Sequence, residues 1–508
     1  MTRDVLTLAL RGFGLILFIA SVVWPSIALV VRSVEQGLSP TDGFALSSNQ
    51  LGLLWRSVWL SGGATLMCVV VALPGACVMG RMGRLSRRPG VTAAVIACLL
   101  CPPMVYAFGW EQVLAALHRP IPTGLNELRC IVVWALWAWP IPAIIIGAGW
   151  NRVGRCAFDA AILVASRPAA VCRVVLPLLS GYVALAALVL FALFMGEYGV
   201  PHACGLSVYA TDLLGRASSS SRVMDTAWAS LPPGVVTGAT LLAVYMVWRR
   251  CDPGGDVTCP AHDASGASRV VTVLVGAVVV VAFFVPIAAL LGHVRSLRTC
   301  LGAAPMYGRD IAWSLGTAAL AGAAGIAVGV GLPRLRSLRR VAVAWAVLFG
   351  TLPGALIGVA LVAAYNRPLT GSVYDHWPIV TLCYVSRFAW IGLLATVLAT
   401  RTTSADLIAQ ARADGAGPTA VLGRVELPLH VPVLVAAAGV IGARSLADVA
   451  TSTLVRVPDF NPIAHVIIEK FHRFEDDVLI SLSLLVAGAG LGATMLVVHA
   501  IRSRRRPR

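Results

Sequence analysis

Ala416-Gly-Pro-Thr-Ala-Val-Leu-Gly-Arg424-Val-Glu-Leu427-Pro428 and Ala165-Ser-Arg-Pro-Ala-Ala-Val-Cys-Arg173-Val-Val-Leu176-Pro177 end in the same way, one in each half of the chain. Each is a polar loop that closes on Leu-Pro, and each lies between apolar stretches long enough to cross a bilayer. A membrane chain that carries one loop at the same place in both halves is expected to be a duplication. Such a loop is then the surface on which something outside the bilayer docks.

The composition around the loops fixes the solvent. Of 508 residues 58% are hydrophobic and only 12% charged, and the mean hydropathy is +0.83. A soluble domain carries roughly 25% charged residues, so lipid covers most of this chain. Its apolar runs are continuous rather than alternating, which indicates helices and not a barrel. The net charge of +17 could suggest nucleic acid. The basic residues cluster beside apolar runs, however, as in Arg81-Met-Gly-Arg84-Leu-Ser-Arg87-Arg88 and Arg334-Leu-Arg336-Ser-Leu-Arg339-Arg340. That placement marks cytoplasmic loops facing anionic lipid, and no nucleic-acid partner is expected.

The fold class read from the runs is an all-α integral membrane protein of about twelve spans. They fall near residues 12–31, 57–80, 91–108, 131–150, 178–196, 227–248, 270–291, 312–333, 341–364, 378–400, 431–443 and 479–501. The first run is too long for the apolar core of a signal peptide and is read as a retained helix. The Arg clusters place both termini in the cytoplasm of a multi-pass inner (plasma) membrane protein. A polar stretch with Pro253-Gly-Gly255 reads as a linker. The expected domains are thus 1–250 and 270–508, six spans each, joined by 251–269. Trp24-Pro25 in the first span answers Val285-Pro286 in the seventh, and Cys101-Pro102-Pro103 answers Leu352-Pro353-Gly354. With an even number of spans in each half, the repeats run parallel.

The first loop begins Asp159-Ala160-Ala161 and runs through Ala165 to Leu176-Pro177. The second carries Ala411, then Asp414-Gly415-Ala416, and ends at Leu427-Pro428. Each has two short helical parts around a turn of small residues. This pattern resembles the coupling motif of ABC importer permeases, in which an acidic-Ala-Ala triplet, a Gly three residues on and a late Leu-Pro form the coupling helix. The second copy departs at Ala409, where the family has Glu. The first has Ala165 in place of Gly and is one residue shorter before Leu-Pro. A single chain with two permease halves is similar to the iron(III) and thiamine importer permeases. The resemblance implies two cytoplasmic ATPase subunits docked on the two loops, and a periplasmic or lipid-anchored binding protein that delivers the solute.

The chain has no Gly-x-x-x-x-Gly-Lys-Ser/Thr phosphate loop. It is therefore expected to bind no cofactor, with ATP held by the partner subunit. No constellation for catalysis stands out, so it is not read as an enzyme. Four residues are candidates for the solute pathway: Arg387 within the tenth span, Glu197 and Tyr198 after the fifth, and Asp448 after the eleventh. A charge inside a span costs about 2.5–3.5 kcal/mol on insertion scales and usually faces the protein interior. Arg387 is expected to pair with Glu197 or Asp448, to line the path, or to snorkel to an interface. Tyr106 and Tyr365 add phenolic oxygens near outer span ends, where they suit a hard ferric ion or an aromatic belt. The expected cargo is iron(III), with thiamine or another small solute as the alternative. The rival from another class is an ion-coupled secondary transporter. Of the 12 cysteines, Cys204 and Cys300 fall in outer loops, where a disulfide between them is one option. Cys251 and Cys259 flank the linker without a second pair.

Overall fold

A computed structural model describes residues 2–36, 46–81, 98–99, 101–117, 125–150, 160–219, 223–251, 269–294, 296–332, 336–401, 405–458, 460–473 and 475–503. Among these the fold is helical, with one isolated bridge between Val457 and Phe460. Seven helices are long and apolar enough to span a bilayer unbroken, and three bent pairs raise the number to ten. Of the other two expected spans, 479–501 is part of the helix Asp476–Ser503, and 91–108 lies partly outside the described residues.

Proline accounts for the sharpest bend. The ninth run, read as one span over 341–364, is two helices at 110°. The first ends at Thr351, and Pro353 caps the next in an extended conformation (φ −50°, ψ 133°). A proline has no amide hydrogen to give and pushes the residue before it out of the α region. The fourth run likewise bends by 50° where Pro140 opens its second half. The eleventh bends by 59° between Val431 and Val433.

Four further prolines leave a different mark. Helical segments of π type cover Ile19–Val23, Val171–Val175, Val280–Phe284 and Leu422–Glu426. Each is followed by an α-helix whose second residue is proline: Pro25, Pro177, Pro286 and Pro428. A proline cannot bond to the carbonyl four residues back, and its ring collides with that group. The wider π turn removes the collision. The four form two pairs at matching places in the two halves, so the repeat seen in the sequence is also a repeat of backbone geometry.

The chain packs as two compact units that differ from the two sequence halves. One comprises Leu46–Asp212 and Pro232–His293. At its centre the helix Ser48–Arg81 packs against Asn126–Ala138, Pro140–Gly149, Leu176–Met195 and Arg269–Val279. Trp134, Trp137 and Trp139 are all fully buried there. The other unit comprises Met1–Ala45, Leu213–Leu231 and Val294–Arg508. Its centre is the helix Gly308–Gly331, packed against Thr2–Phe18, Trp377–Arg401 and Leu427–Leu446. Small residues allow these contacts. A Cβ on Gly392 would strike the carbonyl of Gly325, and one on Gly14 that of Ala327. Lipid gives two apolar helices little reason to associate, so close backbone approach at glycine and alanine supplies the dispersion contact instead.

The first helix of each half is thus counted with the unit formed mainly by the other half. Helix Thr2–Phe18 and its continuation to Glu35 belong with residues 294–508, while Arg269–Gly292 belongs with residues 46–212.

Candidate functional site

The two Leu-Pro loops carry the repeat, and their turns differ. In the second, helix Ala405–Ala413 stops at Gly415, whose φ is +81°. The amide of Gly415 donates to the carbonyl of Arg412, and that of Ala416 reaches back to Ala411, both at 3.0 Å. These two bonds and the left-handed glycine form a Schellman termination, which an L side chain at Gly415 would strain. The chain then re-enters a helix at Pro418–Val421, passes through the π segment, and continues as Leu427–Leu446. Arg412, Asp414 and Gly415 are exposed, whereas Val421, Leu422 and Glu426 are buried.

In the first loop Asp159 lies outside the described residues. Ala160 is exposed and Ala161 buried. The amide of Ala165 bonds to the carbonyl of Ala161 at 3.0 Å, an ordinary helical spacing where the second loop has its glycine reversal. Helix Arg167–Ala170 and the π segment lead into Leu176–Met195, with Leu176 and Pro177 exposed. The turn displays Ile162, Leu163 and Val164, the last two more than four-fifths exposed. The corresponding turn of the second loop displays Arg412 and Asp414 instead. Three consecutive exposed apolar residues on a loop mark a surface that meets another chain or the membrane.

The pathway candidates separate into two clusters, one in each packing unit. Arg387 and Asp448 meet: Arg387 Nε lies 3.4 Å from Asp448 Oδ1, and Arg387 Nη1 donates to Thr451 Oγ1 at 3.0 Å. The side chains are 14% and 3% exposed. The guanidinium therefore points into protein and does not snorkel. Gly354, directly after the bend at Pro353, makes room for it, because a Cβ there would overlap Nη1. Thr451 and Gly354 are members of this cluster that the sequence reading omits. A Pro-Gly pair at a helix break, one span before the charge at Arg387, was the signal that could have found Gly354.

Glu197 has other partners. Its carboxylate accepts from Trp134 Nε1 at 2.9 Å and from the amides of Gly199 (2.7 Å) and Val200 (3.0 Å). It thereby satisfies the open end of the short helix Gly199–Ala203, where a negative charge suits the exposed amides. Tyr198 is half-buried and stacks on His202, with ring centroids 4.9 Å apart. Of the two tyrosines expected near outer span ends, Tyr106 is buried. Tyr365 donates its hydroxyl to the carbonyl of Ala20 at 2.7 Å, inside the first π segment. Ser386 donates to Ser21 and Ser26 to Val22 in that same segment. Carbonyls that a π turn loosens must be satisfied locally where no water is at hand, and three hydroxyls do so.

Among the described residues no group of three or more His, Cys, Asp or Glu could hold a metal ion. Among the described residues no cysteine is drawn in a disulfide, Cys204, Cys251 and Cys300 included, and Cys259 lies outside them.

Residues 321–505 match the family described as "Binding-protein-dependent transport system inner membrane component". This region holds the second Leu-Pro loop and the whole Arg387–Asp448–Thr451 cluster. No curated protein matches the chain.

Proposed function

We infer the working of this chain from its family: over residues 321–505 it belongs to the binding-protein-dependent transport system inner membrane component family, an ABC-type permease subunit and a multi-pass protein of the inner membrane. Our reading is that the chain forms the transmembrane path for a small solute, iron(III), handed over by a periplasmic or lipid-anchored binding protein. Two copies of a cytoplasmic ATPase subunit dock on the two Leu-Pro loops and hold the ATP. Both termini face the cytoplasm, in line with the Arg clusters.

The observation that carries this reading is the second loop. A rigid Schellman turn presents Asp414 and Gly415 to solvent and connects through a π segment to a span that contains Asp448's neighbours. A push on the turn is passed to the helix Leu427–Leu446, at whose end Asp448 holds Arg387. ATP-driven closure of the ATPase pair would then bias the span between two arrangements, provided that the partner binds one arrangement better than the other. The buried pair makes a natural latch. Its two charges neutralise each other in one state and must find other partners if the helices part.

The test is reconstitution with a cognate ATPase subunit and binding protein. ATP-dependent accumulation of radiolabelled ferric ion is the expected result. Uptake of thiamine but not iron would replace the cargo and keep the permease. Uptake driven by an ion gradient with no ATPase present would overturn the whole reading.

A further inference from the structure

Cys130 and Cys204 are fully buried, at 0% and 2% exposure, and a side-chain hydrogen bond joins their sulfurs. Cys130 lies in the first turns of helix Asn126–Ala138, and Cys204 ends the short helix Gly199–Ala203. These two helices pack on each other. Cys130 is one helical turn from Trp134, so both side chains leave the same face. Trp134 bonds to Glu197, ahead of the short helix, while Cys130 meets Cys204 behind it. The short helix is therefore gripped at both ends by one face of one span.

We propose that Cys130 and Cys204 are a disulfide site that staples the short outer helix to the fourth span. The proposal rests on the orientation given above, which puts both residues at the outer side of the membrane. Disulfides persist in that oxidising compartment. Once the chain has packed, the hydrogen bond from Cys130 holds the Cys204 thiol below the ordinary range, against the opposing effect of burial, and Arg129 adds to the lowering. The same contact keeps the two sulfurs together as the segment folds.

The oxidant is a disulfide of the outer compartment, carried by a thiol-oxidising protein, which meets the segment during insertion before packing closes over it. The Cys204 thiolate attacks one oxidant sulfur and releases the other as a thiolate. Cys130 loses its proton and attacks Cys204 sulfur, expelling the second oxidant thiol. The chain loses two hydrogens, and the oxidant disulfide becomes a dithiol.

The experiment is differential alkylation of the whole chain, expressed in cells with an oxidising outer compartment. Membranes are denatured in one maleimide, then reduced and labelled with a second of different mass, and peptides are mapped by mass spectrometry. Positions 130 and 204 should carry the second label, and unreduced digests should contain one cross-linked peptide pair two hydrogens lighter than its parts. In Cys130→Ser, Cys204 should switch to the first label. First label on both positions of the unaltered chain overturns the proposal. In parallel, intact and permeabilised cells are treated with a membrane-impermeant maleimide and read at Cys172, which is exposed in the first Leu-Pro loop. Labelling of Cys172 in intact cells overturns the orientation itself. Protection of Cys172 together with free thiols at 130 and 204 sinks the disulfide alone.

Discussion

At the scale of single residues, the best-supported contact is the buried pair of Arg387 and Asp448. Removing one member of such a pair strands a charge and costs about 3–5 kcal/mol, while replacing both with apolar groups is often near neutral. Arg387→Leu should therefore destabilise the chain in detergent, and Arg387→Leu with Asp448→Leu should recover most of the loss of thermal stability. Transport by the stable double variant then reads the functional role: uptake at the unaltered rate would remove the latch. Gly354→Ala should act on the same pair from the side, because its methyl occupies the position of Arg387 Nη1. We expect uptake to fall with little change in the amount of protein inserted, as measured in the same reconstituted vesicles. Sequence reasoning found Arg387 because charge within a span is rare and costly. It named two acids as possible partners and could not choose. The choice depends on which carboxylate already has donors, and Glu197 is committed to Trp134 and two amides. No periodicity reports that.

At the scale of elements, each Leu-Pro is more than a marker of duplication. It sets a π turn at the root of a span. Pro428→Ala restores an amide donor and removes the ring that opposes the carbonyl of Arg424. The segment Leu422–Glu426 should then close as α-helix. A register change of one residue turns what lies before it by about 100°. On the proposed reading, in which this turn docks the ATPase, it would face away from its partner, and we expect stimulation of the ATPase by the permease to fall roughly tenfold, near 1.4 kcal/mol of coupling. An unchanged coupling ratio would show that the π turn is incidental. Gly415→Val places a β-branched residue in the left-handed region, at a cost of about 1–2 kcal/mol to that turn. Ala165→Gly should have little effect, since the turn there closes on ordinary helical bonding. The comparison is made by co-purification of the ATPase subunit with each variant. The inequality of the two loops was legible in the sequence from the missing Gly and the shorter spacing. The apolar tip Ile162-Leu163-Val164 was not noticed, because a short apolar run beside apolar spans has no contrast until the fold exposes it.

At the scale of the molecule, each packing unit includes the first helix of the other half of the chain. Residues 46–251 alone would lack the helix Arg269–Gly292, and residues 294–508 alone would lack Thr2–Glu35. Each would expose the small-residue faces that those helices cover, such as Gly331 against Gly14. Two polypeptides made by cutting within 252–268 should therefore co-purify when expressed together. Each should be degraded or aggregated when expressed alone. Stable recovery of either fragment by itself would show that the exchanged helix contributes little.

The amino-acid sequence by itself determined the solvent, the helical class and the places where helices must turn, the paired π turns before Leu-Pro among them. These follow from hydropathy, charge and proline, which act through the local backbone and need no partner. It also determined that Gly415 ends a helix, since the left-handed turn depends on one residue. Tertiary structure alone decided three matters: which carboxylate meets Arg387, which thiol meets Cys204, and which unit each first helix joins. All three are contacts between segments far apart in the chain. Their energies depend on burial and on competing donors, which exist only after the helices have packed.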